Sequence, residues 1–135
     1  ALEKQLSNLS FLSLQPSEKL NAFLNMADLH LVMQKANVAH HVMPSKLTTI
    51  LSVCGLAIIT ANSGSGLYKM ITDHNIGLVC PAENVPALSQ LIESALHNDY
   101  THVCLNARNY AEEFLAIDNI MQRYNDEVID AANLK

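Results

Sequence analysis

Short apolar runs alternate with longer amphipathic stretches along most of the sequence. Such runs are typical of buried strands, and apolar residues spaced three and four apart are typical of helices. The pattern predicts four strands, over residues 9–14, 28–33, 56–60 and 76–80. It predicts helices over residues 17–27, 44–54, 67–74 and 84–96, and two more between residues 100 and 133. Strands that alternate with helices form a parallel sheet with right-handed crossovers, so the fold class is α/β and Rossmann-like.

Local signals place the ends of several of these helices. Pro44 and Ser45 are expected to begin the second helix, and Gly55 is expected to end it. Asn84 is a predicted N-cap, and Pro86 fits the first turn of the same helix. No internal repeat, low-complexity linker or domain boundary interrupts the sequence, which therefore reads as one domain.

Composition supports a packed domain and argues against a nucleic-acid partner. The chain has 135 residues, of which 50% are apolar and 16% are charged. An average domain is about a quarter charged, so intrinsic disorder is excluded. The formal net charge is −5. A protein that neutralises phosphates needs clustered Lys and Arg, which this acidic chain lacks.

Cysteine usage predicts a reducing compartment. The three cysteines, Cys54, Cys80 and Cys104, form no CxxC pair, and each lies in an apolar run. We therefore expect small buried hydrophobic residues rather than a disulfide framework. No stretch is apolar for the roughly 18 residues that span a bilayer, and the N-terminal residues do not have the pattern of a signal peptide. A cytoplasmic protein is the expectation.

Candidate chemistry lies in the two long loops that follow predicted strands, because ligands of open parallel sheets bind beyond the carboxyl ends of the strands. Loop 61–66 is small and polar and begins a helix, where backbone N–H groups attract phosphate. Loop 34–46 ends in Ser45 and Lys46, which fall in the first turn of a helix, so an anion site is plausible there. His40 and His41 have no third ligand at metal spacing, and no catalytic constellation is evident.

Four segments resemble a known family. They are MADLHLV (residues 26–32), VMPSKLTTILSVCG (42–55), LAIIT (56–60) and IGLVCPAEN (76–84). Their order and spacing resemble the C-terminal half of two-domain GT-B glycosyltransferases. The closest similarity is to the retaining family-four enzymes, and among them to colanic-acid-type transferases of bacterial exopolysaccharide biosynthesis. Asn106-Ala107-Arg108 and the aromatic helix that follows are similar to the tail of this family.

The resemblance implies a nucleotide-sugar donor as the ligand of this half, with no required metal and no cofactor. It assigns no catalytic residue. It implies that donor binding involves eight residues of the two loops and the following helix: His41, Pro44, Ser45, Lys46, Thr49, Ser63, Gly64 and Ser65. One departure stands out, because many members carry two glutamates eight apart that would fall near His41 and Thr49, and neither of these is acidic.

The resemblance also implies that residues 1–135 are a truncated donor domain that is inactive alone. Family members place two more strands and a glycine-rich turn before residue 9, and an acceptor-binding N-terminal domain before those. That N-terminal domain of the same protein is an expected partner. A second copy is another, through the sheet edge near residues 9–14 that the missing strands would leave exposed. Because members of the family often act on lipid-linked acceptors, the resemblance also implies that the protein associates peripherally with the inner face of the plasma membrane.

Two other functions stay open from the sequence. A sugar-nucleotide epimerase with the GT-B fold is one, although the loops lack the carboxylates that such chemistry needs. The other is a non-catalytic α/β interaction module, which the short chain allows. Such a module of the receiver type would need acidic residues at the carboxyl ends of its strands to hold Mg²⁺, and none is present there.

Overall fold

Three parallel strands form the sheet, in the order β1 (His30–Met33), β2 (Ala57–Thr60) and β3 (Leu78–Cys80). The computed structural model describes residues 6–36 and 43–133. A 3-10 turn at Ser17–Lys19 precedes a set of six helices: α1 (Leu20–Asn25), α2 (Ser45–Ser52), α3 (Gly66–His74), α4 (Val85–His97), α5 (Thr101–Tyr110) and α6 (Ile117–Asn133). The α/β parallel architecture predicted from the sequence is confirmed.

The core lies between one face of the sheet and helices α2, α3 and α5. Val32, Ala57 and Ile59 alternate along β1 and β2 and project to this face. They pack with apolar side chains of the helices, namely Leu47, Ile50, Leu51, Leu67, Ile71 and Ala107. Every residue of β2 is buried, as expected of a central strand covered on both faces, and α4 contacts β2 and β3.

The prediction of a strand over residues 9–14 is wrong. This segment is irregular, and its apolar side chains are exposed, with Phe11 at 80% and Leu14 at 99%. A strand needs a neighbour to pair its backbone groups, and none of the three described strands lies beside this one. On β1, which is an edge strand, the side chain of Met33 is likewise 68% exposed.

The end of α2 differs from the sequence prediction. Cys54, rather than Gly55, adopts the left-handed backbone conformation that closes the helix, with φ of 59°. Gly55 is required for another reason, since a Cβ atom there would lie 2.7 Å from Cδ2 of the His30 ring. The sequence pattern located the helix end correctly but assigned the strained position to the wrong neighbour.

A second left-handed residue, Glu83, provides a stability test. Glu83 is exposed, has φ of 59° and immediately precedes Asn84, which caps α4 as predicted. We expect Glu83→Gly to raise the free energy of unfolding by about 0.5–1 kcal/mol, because glycine has no Cβ clash in this conformation. Urea unfolding measures the change. Glu83→Ala removes the carboxylate but keeps the clash, so an equal gain in that control would contradict the backbone explanation.

The C-terminal part forms the two predicted helices, α5 and α6, joined by a π-helical turn at Ala111–Leu115. Ile120, Met121 and Tyr124 follow helical spacing along α6, as predicted, but their side chains are exposed. Near the start of α6, the Arg123 guanidinium lies 5.4 Å from the centre of the Phe114 ring and donates to the Phe114 carbonyl.

Among residues 6–36 and 43–133, no helix has both the length and the apolar content needed to cross a membrane.

Candidate functional site

The loops after β1 and β2 lie side by side at the carboxyl edge of the sheet. The Thr60 hydroxyl contacts both the backbone N–H and the carbonyl of Gln34, at 2.7 and 3.0 Å. Two residues further along each segment, the Asn62 side-chain amide donates to the Ala36 carbonyl at 2.7 Å. These contacts tie residues 34–36, the described start of the first predicted ligand loop, to the second loop, residues 61–66.

Sequence reasoning missed the residues that make this connection. The sequence pattern places Thr60 at the end of a strand and Asn62 at the start of a polar turn, and it assigns no contact to either side chain. Each makes its contact with a residue 26 positions away, which periodicity does not reveal. The available signal was chemical, since Thr and Asn at a strand end are the side chains most suited to bind a neighbouring backbone.

Loop 61–66 ends in a well-formed helix start. Ser65 is buried, and its hydroxyl accepts a hydrogen bond from the Tyr68 N–H at 3.1 Å as the N-cap of α3. Gly64 has φ of 90°, and a side chain there would have open space around it. Ser63 and Gly64 are both exposed at the tip. The loop therefore presents backbone groups and the Ser63 side chain to solvent at the N-terminus of α3.

The start of α2 presents the second group of predicted residues. Pro44 is half-buried, Ser45 and Lys46 are exposed, and Pro44 offers no side-chain cap to the helix. Lys46 Nζ donates to the Leu31 carbonyl at 3.2 Å. Because His30 pairs with β2, the carbonyl of Leu31 points the other way, to the free edge of β1. The ammonium of Lys46 thus lies at that edge.

Thr49 lies one turn beyond Lys46 on α2, and its side chain lines a different part of the surface. Its hydroxyl donates to the Lys46 carbonyl at 2.8 Å. Its side chain lines a groove of about 260 Å³ whose other walls come from α1, the exposed side of α2 and Leu115 of the π-helical turn. Among the described residues, none that lines this groove belongs to loop 34–46 or loop 61–66. His41, the eighth predicted residue, lies outside the described residues.

His30 is a buried histidine beside the Lys46 cation. Its side chain is 7% exposed, it makes a hydrogen bond with the backbone of Leu24, and Nε2 has no hydrogen-bond partner. Burial lowers the pKa of His30, and the nearby charge of Lys46 lowers it further. The imidazole is therefore held in its neutral form, packed against Gly55.

This environment makes stability depend on pH. The unfolded imidazole protonates near pH 6.5, whereas the folded one resists protonation, so the free energy of unfolding falls as the pH drops below that value. We expect the loss between pH 7.5 and 5 to be smaller in His30→Gln than in the parent chain, as measured by urea unfolding. His97→Gln, at the exposed end of α4, controls for the number of histidines. Equal pH profiles for the parent and His30→Gln would contradict this account.

The described residues of the site include groups that suit a ligand, and none of the hydrogen bonds among them pairs a nucleophile with a general base. Across the described parts of the chain, no three His, Cys, Asp or Glu side chains are grouped so that they could hold a metal ion. Glu112 and Glu113 lie in the π-helical turn, where Glu112 pairs with Arg108 at 2.6 Å, away from the two loops. Among the described residues, the two helix N-termini and the ammonium of Lys46 are groups that suit an anionic ligand.

Similarity to known proteins identifies the family of this chain. Residues 1–114 match the family described as Glycosyl transferases group 1. The chain belongs to this glycosyltransferase family. The match ends within the π-helical turn, and it includes both loops of the candidate site.

A curated relative extends the comparison. The chain is 38% identical over 133 residues to WcaI of Escherichia coli (strain K12), whose name describes a glycosyl transferase of colanic acid biosynthesis. The alignment covers 95% of this chain and 31% of WcaI, so the chain spans about a third of the length of this relative. No solved structure matches the chain.

Proposed function

We propose that this chain is the donor-binding part of a glycosyltransferase that moves a sugar from a nucleotide-sugar to a polysaccharide or lipid-linked acceptor. Membership of the glycosyltransferase family supports the reaction class. Similarity to WcaI supports an acceptor of the exopolysaccharide type, as in colanic acid biosynthesis. In this proposal the acceptor-binding part lies elsewhere in a longer protein, and the segment is inactive alone.

The observation that carries the proposal is the joining of the two loops at the carboxyl edge of the sheet. The Asn62–Ala36 and Thr60–Gln34 hydrogen bonds bring together the loops that lead into α2 and α3. Helices that follow parallel strands begin at the carboxyl edge of the sheet, so we infer that the N–H groups and positive dipole ends of α2 and α3 face the same area. A diphosphate carries the charge and the acceptor oxygens that such a surface binds.

Lys46 supplies the cation in this proposal. Its ammonium now donates to the Leu31 carbonyl at the free edge of β1. A further strand added at that edge would pair with the Leu31 carbonyl, since an edge strand presents unpaired N–H and carbonyl groups. Lys46 would then be released toward the helix N-terminus and the diphosphate. The exposed position of the side chain leaves room for this movement.

The chemistry that this half contributes is stabilisation of the leaving group. Negative charge grows on the nucleoside diphosphate as the bond to the sugar breaks. Preorganised N–H groups and a cation aimed at that charge lower the barrier without a nucleophile. The sequences of the two loops contain no Asp or Glu, which supports this role over that of an epimerase, whose chemistry needs acid–base groups.

A thermal-shift panel tests the proposal. Nucleotide-sugars that differ in base and sugar are added to the full-length protein, with free nucleosides and free sugars as controls. We expect at least one nucleotide-sugar to raise the melting temperature in a concentration-dependent way, because a ligand of the folded state stabilises it. Nucleosides without a diphosphate should have little effect. Absence of any shift across the panel would contradict donor binding.

A further inference from the structure

Two cysteines from distant parts of the sequence meet where the end of α2 packs against α5. The Cys54 thiol donates to the backbone carbonyl of Cys104 at 3.0 Å, across a sequence separation of 50 residues. Both side chains are half-buried, whereas Cys80 is buried in β3. We propose that Cys54 and Cys104 form a redox-reactive pair that closes into a reversible disulfide when the chain meets glutathione disulfide.

Covalent geometry supports the closure. A carbonyl oxygen lies about 2.4 Å from the Cα of its own residue, so Sγ of Cys54 lies within about 5.4 Å of Cα of Cys104. The thiol of Cys54 therefore already lies beside the backbone of Cys104. A disulfide needs Cα atoms about 4.4–6.8 Å apart, and we expect rotation of the two side chains and a local shift of the turn that carries Cys54 to provide this geometry. The Arg108 guanidinium, which donates to the Ser52 carbonyl, already holds the end of α2 against α5.

The charge of Cys54 is also among the groups that act on the Cys104 thiol. Burial raises the pKa of the Cys104 thiol, and the charges of Cys54 and Asp99 raise it further. Cys104 is therefore slow to ionise in the reduced chain. Cys54 lies in the turn after α2, in a left-handed conformation that directs its side chain toward α5. We assign the first attack on the oxidant to Cys54.

The exchange proceeds in two balanced steps. The Cys54 thiolate attacks one sulfur of glutathione disulfide, the S–S bond breaks, and one glutathione thiolate leaves and takes up a proton. The Cys104 thiolate then attacks Sγ of Cys54 in the mixed disulfide and expels the second glutathione. The chain loses two electrons and two protons, and one glutathione disulfide becomes two glutathione molecules.

Intact-mass spectrometry and peptide mapping of the 135-residue chain, incubated with glutathione disulfide, test the proposal. We expect the parent chain and Cys80→Ala to lose two hydrogen atoms, with a Cys54–Cys104 cross-linked peptide. Cys104→Ala should instead retain one glutathionyl group on Cys54, and Cys54→Gly should form no internal bridge. A stable mixed disulfide on the parent chain, or a cross-link that includes Cys80, would overturn the proposal.

Stability gives a second readout that needs no variant. A bridge between residues 50 positions apart in sequence restricts the unfolded chain. The oxidised parent should therefore melt about 5–10 °C above the reduced parent. Dithiothreitol should reverse the shift. An oxidised chain that melts below the reduced one would overturn the pairing, because such a bridge would have to distort the packing of α2 on α5.

Discussion

Ile59→Ala is expected to lower the free energy of unfolding by about 2–5 kcal/mol. Ile59 is fully buried at the centre of β2, paired with Val32 on one side and Val79 on the other. Its Cδ1 atom also lies 2.9 Å from the position that a Cβ would take on Gly77, so the space around it is closely filled. Removing three carbon atoms there leaves a cavity that the rigid strands cannot close. Natural domains have only about 5–15 kcal/mol in total, so this loss is large.

Two control variants separate packing from general loss of apolar surface. Ile59→Val removes one methyl group and should cost about 0.5–1.5 kcal/mol. Leu105→Ala removes a side chain that is mostly exposed on α5 and should change the stability by less than about 0.5 kcal/mol. Urea unfolding monitored by circular dichroism measures all three. Equal losses for Ile59→Ala and Leu105→Ala would show that the core is not centred on β2.

Lys46→Met is expected to weaken binding of the nucleotide-sugar donor to the full-length protein by about 10–100-fold. A hydrogen bond to a charged group contributes about 1.5–3 kcal/mol, and each 1.4 kcal/mol is a factor of ten in Kd. Methionine keeps the apolar stem of the side chain and removes only the ammonium. The loss should appear in the affinity for the diphosphate-containing ligand and much less in the stability of the chain, because the side chain is exposed.

A charge-preserving control accompanies this variant. Lys46→Arg keeps a cation at the start of α2 and should retain most of the affinity, with a small loss from altered geometry. Raising the salt concentration should reduce the difference between parent and Lys46→Met, since the interaction is exposed and screened. Loss of affinity in Lys46→Arg equal to that in Lys46→Met would indicate that shape, rather than charge, is what the donor recognises at this position.

The sequence predicted the elements after residue 28 closely, for a physical reason. Continuous apolar runs such as residues 56–60 suit a strand buried on both faces, and Asn84 and Pro86 carry local chemistry that starts a helix regardless of context. Residues 9–14 have the same apolar character but no neighbouring strand among the described residues, so their pattern does not become a strand. Likewise, the spacing along α6 predicts an apolar face, but it does not determine whether another element packs against that face. In the structure these side chains are exposed.

The candidate site was predictable in position but not in detail. Topology alone places the loops after parallel strands at one edge, which identified loops 34–46 and 61–66. The hydrogen bonds of Asn62, Thr60 and Lys46 depend on distances through space between residues far apart in sequence. Thr49 lies on α2, as its spacing predicts, and lines a groove on another side of that helix. Spacing assigned it to the helix, and only packing shows which neighbours it meets.

The most direct test of the central claim is isothermal titration calorimetry of the full-length protein with the nucleotide-sugar selected by the thermal-shift panel. Parent, Lys46→Met and Lys46→Arg are titrated in parallel, and the free nucleoside serves as the ligand control. Donor binding at the carboxyl edge predicts saturable binding to the parent, at least tenfold weaker binding to Lys46→Met, and near-parent binding to Lys46→Arg. Binding of equal strength to parent and Lys46→Met, or of equal strength for nucleoside and nucleotide-sugar, would contradict it.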